Sequence, residues 1–165
     1  MSKCTEDLKT AIAGESQANR RYLAFAKKAE DEGYTQAAHL FRAVAAAETV
    51  HAMNHIRAQG EVKTTADNLQ AAINSEIYEH TTMYPEFIGD AENEQNRKAQ
   101  NSFHYAMEVE KVHEVLYTKA LEALSKDAPA VEYYVCPVCG NTFEGSAPDR
   151  CPICNTSKAR FQKID

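Results

Sequence analysis

A shift of 62 residues lays the second part of this chain over the first, placing Tyr22 on Tyr84, Phe25 on Phe87, Phe41 on Phe103, Glu48 on Glu110 and His51 on His113. A repeat of this length with helical periodicity is one helical hairpin used twice. The first copy reads as a helix from Thr5 to about Glu32, with Leu8, Ile12, Tyr22, Ala26 and Ala29 on one stripe and Gly33 as its stop. A helix from about Gln36 to Gln59 follows, carrying Ala37, Phe41, Val44 and Ala52 and closed by Gly60. The second copy reads as a helix capped at Thr65 and kinked at Pro85, then one from about Asn96 to Leu124. Two such hairpins imply a mainly α chain built on a four-helix bundle, with any site made by both copies near an approximate two-fold axis.

The apolar stripes are interrupted by charge. Glu48 and His51, like Glu110 and His113, stand three residues apart and so share one helix face. Glu15 interrupts the first helix, and Glu76 and Glu79 interrupt the third. Five carboxylates and two imidazoles therefore converge at mid-bundle height, with no Lys or Arg on the same stripes. Each unpaired carboxylate costs several kcal/mol to desolvate, so bound cations or large pKa shifts are required. Two ferrous ions bring a charge of +4, and two ferric ions +6, against the −5 of these glutamates, which suits redox cycling. Mixed oxygen and nitrogen ligation fits iron or manganese, and Glu-x-x-His on two helices with glutamates on the other two is a di-metal carboxylate pattern. One Glu-x-x-His alone is more often a solvated pair; its repetition and the extra glutamates separate this chain from that case. Tyr22 and Tyr84 either hydrogen-bond ligand carboxylates from behind or are ordinary core tyrosines. His55, His80 and His104 lack a counterpart at the repeat offset and read as surface or edge histidines.

The tail carries Cys136-Pro137-Val138-Cys139-Gly140 and, eleven residues on, Cys151-Pro152-Ile153-Cys154. Two such pairs make a tetrahedral sulfur cage for iron or zinc, and the redox bundle tips the choice toward iron. Cys4 reads as a spare thiol near a frayed terminus. The net charge of −6, from 24 acidic and 18 basic residues without long single-sign blocks, argues against nucleic acid or an anionic membrane as partner. Residues 1–10 are too polar for a signal peptide and no apolar run is long enough to span a bilayer, so a cytoplasmic location is expected. The expected domains are 1–126 and 132–165, joined by a linker at 127–131.

Gly14-Glu15-Ser16, Glu48-x-x-His51, Glu76-x-x-Glu79 and Glu110-x-x-His113, in that order and followed by a cysteine-pair tail, resemble the rubrerythrin family from Glu15 through Cys154. The resemblance implies a ferritin-like di-iron domain and a rubredoxin-like Fe(Cys)4 domain. It further implies that Glu15, Glu48, Glu76, Glu79, Glu110 and His113 ligate the iron pair, with His51 and Glu79 exchanging on one iron as its oxidation state changes. Cys136, Cys139, Cys151 and Cys154 would hold the third iron. The implied activity is reduction of hydrogen peroxide to water, with electrons entering through the cysteine-ligated iron. The donor would be a rubredoxin or a separate NAD(P)H-dependent reductase, since the chain has no glycine-rich dinucleotide loop. The rival readings are a ferroxidase or iron-handling protein and a zinc-stabilised structural adaptor.

Assembly follows from one loop. A ferritin-like bundle needs its second and third helices parallel, yet only residues 60–64 join them. Five residues reach about 18 Å, whereas a helix of about 24 residues is about 36 Å long. Either the bundle is a plain up-down-up-down one, or hairpins swap between two chains of a homodimer or larger assembly; the swap keeps the ligand symmetry and is the expected arrangement.

Overall fold

The computed structural model describes residues 2–125 and 129–164. Helix α1 (Lys3–Asp31) pairs with α2 (Thr35–Gln59); α3 (Thr65–Tyr78), a π-helical turn at Glu79–Met83 and α4 (Tyr84–Asn93) pack on α5 (Arg97–Glu122). Strands β1 (Tyr133–Val135), β2 (Thr142–Glu144) and β3 (Gln162–Ile164) follow, forming an antiparallel sheet of order β2-β1-β3. The chain divides into two compact units, Met1–Lys63 and Thr64–Asp165. The first carries one hairpin; the second carries the other together with the cysteine tail. Residues 126–128, the last of the expected first domain and the first two of the expected linker, lie outside the described residues. No helix among the described residues is long and apolar enough to cross a membrane.

Within the first unit, Asn19 donates to the Ala45 carbonyl at 2.7 Å and to Thr49 Oγ1 at 2.9 Å, stapling α1 to α2 across the buried Ala45. The aromatic cluster Tyr22–Phe25–Phe41 has centroid separations of 6.2, 6.3 and 5.6 Å. Its counterpart Tyr84–Phe87–Phe103 has 6.3, 6.3 and 5.5 Å, so the sequence repeat is a repeat of packing.

The repeat continues into the turns. The Tyr34 amide bonds to the Ala29 carbonyl at 2.8 Å around Gly33 at φ +83°, and the Asn96 amide bonds to the Ala91 carbonyl at 2.9 Å around Gln95 at φ +56°. Both are left-handed helix stops, but only the first uses the residue that adopts this conformation without steric cost. Helix α1 begins earlier than its stripe indicates, because Ser2 caps it by accepting from the Thr5 amide; Cys4 therefore lies, exposed, in its first turn. Thr64, not Thr65, caps α3 by accepting from the Asp67 amide.

The largest departure is the third helix of the sequence reading. Pro85 has no amide to donate, and the register change occurs just before it: the Tyr84 amide reaches back five residues to the Glu79 carbonyl, and the Thr81 hydroxyl donates to the Ile77 carbonyl at 2.5 Å. Glu15 precedes Tyr22 by seven residues, but Glu76 precedes Tyr84 by eight. The π turn absorbs that one inserted residue and keeps both aromatic clusters alike.

Replacing Gln95 with Gly relieves a left-handed non-glycine residue and is expected to stabilise the second hairpin by about 0.5–1 kcal/mol, net of glycine's backbone entropy. Gly33→Gln should destabilise the first by about 1 kcal/mol. Denaturant unfolding of the two variants checks both signs.

Candidate metal centre

Three groups of side chains among the described residues offer ligand atoms within 4.8 Å of one another: Glu15, Glu48 and His51; Glu76, Glu110 and His113; and Cys136, Cys139, Cys151 and Cys154. The first lies wholly in one unit, the other two in the second. In each helical group the histidine turns Nδ1 toward the carboxylate three residues back, His51 to Glu48 at 2.8 Å and His113 to Glu110 at 2.7 Å. Helical spacing dictates this, since residues three apart sit one above the other. The two groups differ in exposure: the His51 side chain is 53% exposed and that of His113 26%.

The second group is electrostatically loaded. Burial, the Glu110 charge and a hydrogen bond shared with Glu110 push Glu76 up to about 7, with Glu79 adding to the effect. His113 is raised, chiefly by its hydrogen bond to Glu110 and against the effect of burial. Tyr84 is raised by burial and by the charges of Glu110, Glu79 and Glu76, so its hydroxyl keeps its proton. Without a metal, protons must hold this corner together. A divalent cation among the same oxygen and nitrogen atoms does so with more charge, and the donor set suits iron.

Glu79 stands apart from the ligand atoms of this group and accepts from Ser75 Oγ at 3.2 Å. The backbone from Glu76 to Glu79 is still regular α-helix, the Glu79 amide bonding to the Ser75 carbonyl, so the two carboxylates are kept apart by the Glu79 side chain, which turns back to Ser75. His80, read from sequence as a surface or edge residue, is instead largely buried and pairs through Nε2 with Glu114 at 2.6 Å, tying the π turn to α5. The missed signal was its neighbour: Glu114 directly follows His113. His104 is exposed, as expected, and His55 is half-buried.

In the tail, each cysteine pair forms the same turn. The Gly140 amide bonds to the Cys136 carbonyl and the Asn155 amide to the Cys151 carbonyl, both at 2.9 Å, with Gly140 at φ +84° and Asn155 at φ +62°. The Cys136–Cys154 and Cys139–Cys151 sulfur separations are both 3.5 Å. Four sulfurs about 2.3 Å from a central metal would stand about 3.8 Å apart, so the cage fits one tetrahedral ion. Burial raises Cys139, whereas Cys154, despite burial, is brought down to about 6 by hydrogen bonds from the Thr156 hydroxyl and backbone. The buried Asn141 amide also points at Cys151 Sγ, 3.9 Å away.

Residues 6–121 match the rubrerythrin family, and residues 134–162 match the rubrerythrin rubredoxin-like domain. Rubrerythrin-2 of Clostridium acetobutylicum is 36% identical over 171 residues, covering 94% of this chain and 93% of its own. Nigerythrin of Nitratidesulfovibrio vulgaris is 40% identical over 171 residues, covering 94% and 84%. The solved structure of fully reduced, all-ferrous nigerythrin is similar with a TM-score of 0.59 and 37% identity, over 99% of this chain and 88% of that one.

Because Glu76 and His113 are both raised, the protonated corner contributes stability that is fully present below their unfolded values and is lost as pH rises, for Glu76 through about 7. The metal-free protein should therefore weaken between pH 6 and 8. Ferrous or zinc uptake over the same range should tighten and release protons, more at pH 6 than at pH 8. Indicator-dye titration of proton release checks this, and pH-independent uptake would contradict it.

Proposed function

Because this chain belongs to the rubrerythrin family, an oxidoreductase family with an iron pair and a rubredoxin-like iron, we propose that it is a peroxidase reducing hydrogen peroxide to water in oxidative-stress defence. The observation that carries the reading is the presence, in one chain, of two Glu/His groups and a four-cysteine cage. Storage or oxidation of iron needs no separate electron inlet, and a structural adaptor needs no Glu/His groups.

In this reading Glu15, Glu48, His51, Glu76, Glu79, Glu110 and His113 hold the iron pair, and Cys136, Cys139, Cys151 and Cys154 hold the single iron. Iron bound in these two places would supply two-electron reducing power at the O–O bond and a one-electron relay to recharge it. Each peroxide also takes up two protons to leave as two waters. Tyr84, held neutral, keeps a hydroxyl donor facing the glutamates. Glu79, free of the ligand cluster and resting on Ser75, is placed to enter or leave the metal shell by side-chain rotation. On this reading His51, the more exposed histidine, is its exchange partner.

The domains are 1–126 and 132–165, and the location is cytoplasmic. The assembly is a homodimer or larger, with helix hairpins swapped so that each iron pair takes one Glu/His group from each of two chains. Three observations support the swap: the five-residue connector at 60–64, the division of the chain at Lys63/Thr64, and the apolar residues left exposed, among them Phe25, Leu40 and Val44 in one unit and Ile77, Phe87 and Val115 in the other. Electrons come from a rubredoxin or an NAD(P)H-dependent reductase.

Anaerobic protein with three irons per chain and a suitable reductase should consume NADH and peroxide one to one. Cys139→Ser should cut NADH-driven turnover at least about tenfold and remove the ferric-thiolate colour. Iron uptake without turnover favours the storage reading, and a colourless protein with zinc in the cage removes the inlet. By sedimentation, a monomer that keeps an intact iron pair would rule out the swap.

A further inference from the structure

The cysteine tail touches α5 at three places inside the second unit. A Cβ built on Gly140 would lie 4.0 Å from Val109 Cγ1, Thr142 Oγ1 lies 3.0 Å from His113 Nε2, and Glu144 pairs with Lys119. Residues 140, 142 and 144 alternate along β2 and its approach, so they share one face. They span about 13 Å of strand, and residues 109 to 119 span about 15 Å of helix, so the strand lies along the α5 axis. The intervening residues face the other way: Asn141 is buried beside Cys151, and Phe143 stacks on Phe161 at 5.0 Å. The outer contacts thus fix where the Thr142 hydroxyl stands.

That hydroxyl is already committed, since it donates to the Gly140 carbonyl at 3.2 Å. With its proton so placed it turns a lone pair to His113, so Nε2 carries a proton, for which the Gly140 carbonyl is a further acceptor, while Nδ1 carries a second proton toward Glu110 until a metal displaces it. The remaining nitrogen, Nδ1, is the one turned to Glu110 and counted with Glu76 in the ligand cluster. We propose that Thr142 is a positioning residue for the helical metal site: from the cysteine domain it holds the His113 ring as the Nε2–H form and presents Nδ1 to a metal shared with Glu76 and Glu110. The inference rests on the reading of His113 as a ligand and adds that the docked cysteine domain completes the site's support. Ligating histidines generally have their second nitrogen fixed in this way, and loss of such a partner lowers metal affinity about 10- to 100-fold.

The test uses the full chain with its cage filled by one equivalent of zinc and further zinc titrated in, followed by NMR of labelled histidine. In the native protein and in Thr142→Ser, the His113 Hε2 proton should be protected from water exchange. In Thr142→Val, which keeps the shape and removes the oxygen, that protection should be lost and zinc affinity at the helical site should fall about tenfold. A native zinc response with Thr142→Val unchanged in both readouts overturns the proposal alone, as does Thr142→Ser as impaired as Thr142→Val. No zinc-induced change at His113 in the native protein overturns the ligand reading and this proposal with it.

Discussion

Glu76 and Glu110 share a hydrogen bond in a half-buried corner with the His113 imidazole, and among the described residues no lysine or arginine pairs with them. Two carboxylates so placed cannot both be charged without a cation between them, which is why Glu76 holds its proton up to about 7 and His113 is raised as well. A hairpin built only for stability would replace these residues with apolar ones of similar volume. The rest of the structure makes sense as support for this corner. The aromatic cluster of Tyr84, Phe87 and Phe103 packs α4 on α5, and the His80–Glu114 pair ties the π turn to α5 beside His113.

The π turn marks where the duplicated hairpins stopped being copies. One added residue between Glu76 and Tyr84 would rotate everything after it by about 100° in a regular helix and pull the second aromatic cluster apart. Confined to Glu79–Met83, it leaves that cluster superposable on the first and gives the second hairpin an acidic residue, Glu79, that has no equivalent in the first. Pro85, placed in the first turn of α4, makes the boundary inexpensive, because the amide it lacks is one that a helix start leaves unpaired anyway.

Much of this was legible in the chain itself. The Glu-x-x-His pairs, the cysteine pairs and the stops at Gly33 and Gly60 depend on local spacing, and local spacing survives into the fold. What could not be read depends on a residue acting out of type or on a partner far away in sequence. Gln95 occupies the left-handed position that Gly33 announces openly, and Asn155 does the same for Gly140. A proline reads as a kink, whereas here the distortion is an inserted residue that precedes it. His80 has no counterpart at the repeat offset because its partner, Glu114, belongs to one hairpin only. The link between His113 and Thr142 crosses 29 residues and two kinds of secondary structure, so no periodicity could signal it.

That link also shows why the cysteine domain needs a defined register on α5 and not merely a flexible tether. A slip of one residue along β2 would bring Asn141 or Phe143 opposite His113. Asn141 would leave its buried place beside Cys151, and Phe143 would leave its stack on Phe161, so the slip would break the small domain's interior to make a worse contact outside it. The alternation that builds the domain's core is therefore the same alternation that delivers a hydroxyl to the helical site. Gly140 belongs to the same scheme. Its positive φ closes the first cysteine turn, and that turn faces Val109, buried on α5 one helical turn before His113, at van der Waals distance. The turn that closes one half of the cage is thus also the turn that rests on α5, which places the two metal-binding groups of this unit under one geometric constraint.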